Sequence, residues 1–245
     1  QAANTMNRST TRAGTEKILA AARADAIRPN SHGPSGKAGE IIGELEHRLI
    51  TGQYRFGDTL SINRLAEEFD ASRQPIGAAI NHLRSLGYLK VVPQVGCNVV
   101  SPSPEEIGDF FYMLGKIESA VAGLAAVRYL AEEAEVLLAI AAHIAQTPFD
   151  NDSHREDWTI GVDAYHAQIR NMARSPSLAG RVQDLWRLSD FYLWQGALNL
   201  QPQNIDVANR ERREIAEVIG ARAVEAVETL MEKHVRGKPR RVGIA

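Results

Sequence analysis

The stretch Leu65-Ala66-Glu67-Glu68-Phe69-Asp70-Ala71-Ser72-Arg73-Gln74-Pro75-Ile76 decides how the first hundred residues fold. Leu65 and Phe69 stand four residues apart, the spacing of one helix face. Asp70-Ala71-Ser72 breaks that pattern, and Ser72 stands where a following helix needs its N-cap. The following helix is read over residues 73–86, closed by Gly87. Working outward, residues 63–69 form the short helix before the break. Ile41, Ile42, Leu45, Leu49 and Ile50 give residues 38–50 a helical period that Gly52 ends. Downstream, Tyr88-Leu89-Lys90-Val91-Val92 reads as a strand, Pro93-Gln94-Val95-Gly96 as a turn and Cys97-Asn98-Val99-Val100 as the returning strand.

Three helices and a two-stranded hairpin are the plan of a winged helix-turn-helix. The chemistry of the third helix suits nucleic acid. Its N-terminus directs free N–H groups and a partial positive charge outward, which favours phosphate. Arg73 stands there with a guanidinium fork able to bond guanine O6 and N7 together. Ser72 and Gln74 can bond phosphate or base edges, and Gly96 lets the hairpin backbone approach a phosphate closely.

The spacing Gly52-x-x-x-x-Gly57-Asp58-x-Leu60, Leu65-Ala66-Glu67-Glu68-Phe69, Ala71-Ser72-Arg73-Gln74-Pro75-Ile76, Leu83-x-x-x-Gly87-Tyr88-Leu89 and Gly96 resembles the GntR family of bacterial regulators. The resemblance implies that the third helix is the recognition helix, that the second crosses the DNA backbone, and that the Gly96 hairpin is a wing near the minor groove. It also makes Asn63, with Arg64 beside it, a contact position. The chain departs from the family at Gly77, where a second recognition-helix arginine is usual. Glycine offers no contact there and costs about 1 kcal/mol of helix propensity relative to alanine.

Charge and composition agree with a DNA reader joined to something else. Net charge is -2, yet Lys and Arg outnumber Asp and Glu by 12 to 9 up to Val100, against 16 to 21 beyond it. No uninterrupted apolar run approaches the roughly 20 residues of a membrane span. The opening residues are polar, without the apolar core of a secretion signal. A single cysteine, Cys97, excludes an internal disulfide and fits a cytoplasmic location. Residues 1–36 are expected to be a flexible N-terminal arm with a short helix over 15–27, its Arg8, Arg12, Arg23 and Arg28 either solvated or placed to touch phosphates. Residues 37–100 are the reading head, and Ser101-Pro102-Ser103-Pro104 is a stiff linker. Residues 105–237 form an all-α effector-binding and dimerisation bundle, and 238–245 a C-terminal tail. Helical periods fall at 107–130, 132–145, 156–172, 178–198, 205–219 and 223–235. The fold class is therefore mostly α.

The bundle resembles the effector domain (FCD domain) of the FadR-type branch of the same family. The phrases carrying this are residues 109–118 with Leu124-Ala125-Ala126, Tyr165-His166-Ala167-Gln168-Ile169, Glu211-Arg212-Arg213-Glu214-Ile215 and Lys233-His234. Members of the branch often hold a divalent metal on one Asp and three His. Carried across, those positions are Val162, His166, Arg212 and His234, so two of four ligands remain. Asp163 shares a helix face with His166 at i, i+3 spacing. Asp163, His166 and His234 are thus a candidate site for one divalent, zinc-like ion. Alternatively, Arg212 with His166 and His234 binds an anionic effector through charge-assisted bonds. The bland alternative is a pair of buried histidines with hydrogen-bond partners. An acid-binding arginine usual four residues before Glu118 is replaced by Leu114. Trp186, Tyr192 and Trp194 share one helix and suit core, dimer seam or pocket lining.

The expected protein is a homodimeric repressor of transcription, partnered by double-stranded operator DNA and a small anionic metabolite, with no membrane role. It is not expected to be an enzyme, because nucleophile elbow, phosphate loop and paired-carboxylate motifs are missing from the sequence. A metal-dependent regulator with an altered Asp/His site and a metal-dependent hydrolase are the alternatives.

Overall fold

The computed structural model describes residues 2–27, 34–92, 96–195 and 201–244. The head contains α2 (Lys37–Ile50), α3 (Ile62–Glu68) and α4 (Arg73–Ser85), with strands β2 (Leu89–Val92) and β3 (Gly96–Val99). Ile41, Ile42, Leu45 and Leu49 of α2 meet Leu65 of α3 and Ile76, Ala79, Ile80 and Leu83 of α4 in one core. Arg48 ties α2 to α3 by pairing with Glu68 at 2.6 Å, and it also pairs with Glu44 of its own helix at 2.7 Å. Between α3 and α4 the chain turns at Asp70, whose φ of 44° is a left-handed conformation that aspartate tolerates. Ser72 occupies the N-cap position of α4 in extended conformation, without a side-chain cap bond.

The expected two-stranded wing forms, with β2 and β3 paired antiparallel, and a third strand extends the sheet on the other side of β3. The added strand, β1 (Thr59–Leu60), pairs antiparallel with β3, setting Leu60 opposite Cys97. Two residues are too few to show alternation. The expected turn at 93–95 lies outside the described residues.

The second unit is a bundle of α5 (Pro104–Arg128), α6 (Ala131–Gln146), α7 (Asp152–Met172), α8 (Pro176–Trp194), α9 (Pro202–Gly220), α10 (Val224–Arg236) and the short α11 (Lys238–Arg241). Ser103 and Glu106 close a capping box, so the helix begins at Pro104, inside the expected linker. Helix α5 packs against α10, and Gly115 makes the approach possible: a Cβ there would lie 2.9 Å from Arg236 Cγ. The same helix alone, among the described residues, is long and apolar enough to cross a membrane, with a mean hydropathy of 1.4 over its best window. The expectation of no uninterrupted apolar run stands, since Asp109, Lys116 and Glu118 interrupt this helix. Phe111, Leu114, Val121, Ala122, Ala125 and Ala126 point into the bundle core.

Two expectations about the chain ends also change. Residues Ala2–Ile27 form one helix, α1, packed on α6 and α7, rather than a flexible arm. Thr15 and Ala22 are buried, with Ile18 and Leu19 against the bundle core, and Arg23 pairs with Asp157 at 2.5 Å. Arg12 pairs with Glu16, while Arg28 lies outside the described residues. A polar composition hid this because few of the described positions that face the bundle are large apolar residues. At the other end, the expected tail folds back as α11 and buries Lys238 and Pro239.

Gly77 lies in mid-α4, and a Cβ there would meet nothing within 4 Å. Gly77→Ala should therefore raise stability by about 1 kcal/mol, read as a higher denaturant midpoint at unchanged slope. A lower midpoint would show that the glycine is needed for the head's geometry.

Candidate functional site

Two regions concentrate functional chemistry. On the head, Asn63, Arg64, Ser72, Arg73 and Gln74 are all exposed. Arg73 is the first residue of α4, Gln74 the second, and Gly96 opens β3. Among the described residues neither Arg64 nor Arg73 pairs with a carboxylate, so both guanidinium groups face outward unneutralised. Asn63 and Arg64 stand in the first turn of α3, where Ser61 caps the helix by accepting from the Arg64 N–H at 3.4 Å.

The bundle interior holds the second region. His166 on α7, Arg212 on α9 and His234 on α10 are all buried, at 0, 2 and 0% exposure. The two imidazoles face each other with centroids 5.9 Å apart, and His166 lies against Trp186 of α8 at 3.7 Å. Arg212 stacks over Trp158 at 5.1 Å and donates to Asn209 at 2.8 Å. Tyr165 fixes α7 to α9 by donating its hydroxyl to the Arg212 carbonyl at 2.7 Å. The structure thus gathers the three residues of the expected effector site.

It adds others that the sequence reading had not assigned to the site. Glu118 of α5 is fully buried, 3.6 Å from Arg170 and 3.8 Å from His166. Lys238 of α11 sets its ammonium 3.3 Å from the centre of the Trp186 ring, a close cation–π contact. Arg241 of α11 and His234 both bond Glu211, at 3.1 and 2.8 Å. Next to this cluster lies a cavity of about 80 Å³, walled partly by Trp158, Asp163, Asp190, Trp194, Arg212 and Lys238. Arg170 carried one legible signal, its place four residues after His166. The burial of Lys238 and Arg241 depends on a fold-back that no local pattern announces.

Burial governs the ionisation of these groups. It pushes His166 well below the usual imidazole range and His234 down to about 3, the latter against the pull of Glu211. It also lowers Lys238 to about 7, opposed by Asp190, and Arg212 to about 10. Glu118, Asp163 and Asp190 are all raised by burial, with Arg170 moderating Glu118 and the Trp186 hydrogen bond moderating Asp163.

Several buried polar atoms find no hydrogen-bond partner among the described residues: both Glu118 oxygens, both His166 nitrogens, His234 Nε2, Arg212 Nε, Arg170 Nη1 and Trp158 Nε1. Each such atom costs about 1–3 kcal/mol of desolvation unless something meets it. These atoms are grouped inside one bundle, around His166, Arg212 and His234.

The proposed metal ligands do not fit a metal. No three His, Cys, Asp or Glu side chains are arranged to hold an ion among the described residues. Asp163 accepts from Trp186 Nε1 at 2.9 Å, which occupies the one carboxylate of the expected set. The surrounding charges Arg170, Arg212, Lys238 and Arg241 would repel a cation.

Residues 37–99 match the model of bacterial regulatory proteins of the gntR family, and residues 109–237 match the FCD domain. The chain belongs to the FCD-containing branch of the gntR family. An Exu regulon transcriptional regulator of Escherichia coli strain K12 is 26% identical over 162 residues, which cover 60% of each chain. A gluconate operon transcriptional repressor of Bacillus licheniformis is 37% identical over 68 residues, 28% of each chain. The chain therefore spans about 60% of the length of the first of these curated relatives and less of the other. The solved structure of E. coli McbR/YncC superposes with a TM-score of 0.68 at 16% identity, covering 85% of this chain and 98% of that one, a likeness of fold. Helix α1 and the cations of α11 lie outside both matched segments of this gntR–FCD chain.

Because burial lowers the basicity of His166 and His234, both rings should stay neutral at pH 5 in the folded protein. Nitrogen chemical shifts of ¹⁵N-histidine-labelled protein, assigned with His166→Gln and His234→Gln, check this. A doubly protonated ring at either position would contradict it.

Proposed function

We propose that the chain is a dimeric, sequence-specific repressor whose grip on operator DNA is set by a small anionic effector held in the bundle cavity. The observation carrying this reading is the buried cluster of unpartnered donors and acceptors around His166, Arg212 and His234. Donors on Arg212, Arg170 and Trp158 call for a carboxylate or similar anion. The Glu118 oxygens and the free imidazole nitrogens call for donors, which hydroxyl groups supply. Trp158 and Trp194, which both line the cavity, offer apolar surface to a carbon skeleton. A small polyhydroxy acid answers all three demands, and the operon named for gluconate in one relative is consistent with that class. Homodimer formation follows from the reading mode, since two recognition helices addressing two half-sites need a two-fold axis. The protein would work in the cytoplasm, where operator and metabolite meet.

On the head, Arg73 reads a base edge while Asn63, Arg64, Ser72, Gln74 and the Gly96 backbone position the head on phosphates and neighbouring bases. Arg73→Ala should cost about 1–3 kcal/mol of specific binding, roughly 5- to 150-fold in Kd. A mobility-shift titration on duplex selected by the parent protein measures it, with nonspecific duplex as reference. Arg212→Met should keep ligand-free operator affinity and lose the effector response. Unchanged affinity in Arg73→Ala, or a normal response in Arg212→Met, would sink the corresponding half of the proposal.

A further inference from the structure

Helix α8 has two working faces. Trp186, Asp190, Leu193 and Trp194 fall on one side of it, at i, i+4, i+7 and i+8. Asp190, Leu193 and Trp194 line the cavity, while Trp186 carries the stacked His166 and Lys238. Arg187, Leu188, Phe191 and Gln195 fall on the other side and touch the DNA-reading head.

The head side is built around one buried ion pair. Glu46 of α2 is fully buried, and Arg187 donates to it through both Nε at 2.9 Å and Nη2 at 2.7 Å. Tyr88, at the start of the wing, donates its hydroxyl to the same carboxylate at 2.9 Å. Burial opposes the Arg187 charge, yet Glu46 raises its pKa above the usual guanidinium value. Around the pair, Phe191 meets Tyr88 and Phe56 edge-on, each at 5.3 Å. Gln195 donates to the Tyr54 carbonyl at 3.1 Å and accepts from the Phe56 N–H at 3.3 Å. Gly87, at φ +91°, leaves room for Leu188 where a Cβ would lie 3.3 Å from it.

A forked, desolvated pair of this kind is strongly directional. It holds only when α2, the wing and α8 keep one mutual orientation, and Trp186 and Arg187 are consecutive residues of one helix. We propose that the Glu46–Arg187 pair is the joint through which occupancy of the bundle cavity is passed to the head, with α8 as the rigid member between them. An acid entering beside Asp190 and Trp186 competes for Lys238 and displaces α8. The pair then realigns or breaks, and the head changes its angle to the bundle and to its partner head. This rests on the reading of the cavity as an effector site. The joint itself is independent of it.

The test uses the full chain with nitroxide labels at Asn81→Cys on α4 and Ala120→Cys on α5, both exposed positions. Cys97 is 2% exposed and leaves the introduced thiols as the reactive ones. Labelled chain is diluted in unlabelled chain so that only intrachain distances are read by pulsed electron resonance. The parent should give one narrow distance. Arg187→Met should broaden the distribution roughly twofold as the head samples loose orientations, and Glu46→Arg with Arg187→Glu should narrow it again. Glu46→Gln, which keeps the side-chain shape and one acceptor oxygen but loses the charge and the second acceptor, serves if Arg187→Met fails to fold, and should also broaden it. A distribution as narrow as the parent's in folded Arg187→Met or Glu46→Gln would overturn the joint.

The second arm adds D-gluconate, with binding followed by calorimetry. It should shift the parent's distance and leave that of Arg187→Met unmoved. Equal shifts in both would overturn the transmission with the cavity reading intact. Absence of binding by gluconate and by every other polyhydroxy acid tried on the parent would overturn the polyhydroxy-acid reading on which the transmission depends, and the label distances would still decide the joint.

Discussion

An ammonium group resting on an indole ring inside a helical bundle has to be matched by charge close at hand, because water is not there to solvate it. Lys238 on Trp186 imposes that constraint, and much of the interior follows from it. Asp190, Glu118 and Asp163 answer the charge, and their own carboxyls are pushed up by the same burial. Arg170, Arg212 and Arg241 join Lys238, and Glu211 joins the acids. The pairing is partial: Arg241 bonds Glu211 at 3.1 Å and Arg170 lies 3.6 Å from Glu118. What remains is a set of buried donors and acceptors with nothing to bond. A bundle built only for stability would have filled these positions with apolar side chains. The cost borne here is the kind expected where a ligand completes the network.

The head was legible because its rules are local. Helical spacing in α2, the break at Asp70 to Ser72 and the closing Gly87 each act over a few residues, and they fix three helices and a hairpin without reference to the rest of the chain. Strand β1 escaped notice because two residues cannot show a period. Helix α1 escaped because its buried positions, Thr15, Ile18, Leu19 and Ala22, make sense only against the surface of α6 and α7.

The interior site was half legible. His166, Arg212 and His234 came from family resemblance rather than from any spacing of their own, and they do converge. Arg170, Asp190, Lys238 and Arg241 look like solvated helix residues in sequence, since charged side chains are seldom buried. Only tertiary packing takes them inside, and the two on α11 lie past the end of the family match. Asp163 shows the reverse error. Its i, i+3 spacing to His166 is real, yet the carboxylate is occupied by the Trp186 N–H, and the surrounding cations make the place hostile to a metal.

Reading head and cavity meet on a single helix, so chemistry at one has a short mechanical path to the other. The central claim is that the unpartnered interior is completed by a small acid bearing hydroxyl groups. A thermal-unfolding panel tests this most directly, setting polyhydroxy acids against simple apolar acids, neutral polyols and divalent metal salts. A ligand present at about a hundred times its Kd adds about 2.7 kcal/mol, which for a chain of this size raises Tm by about 5–10 °C. The account expects that rise from at least one polyhydroxy acid and not from the neutral polyols or the metals. A rise given equally by neutral polyols, or by a metal salt alone, would contradict it.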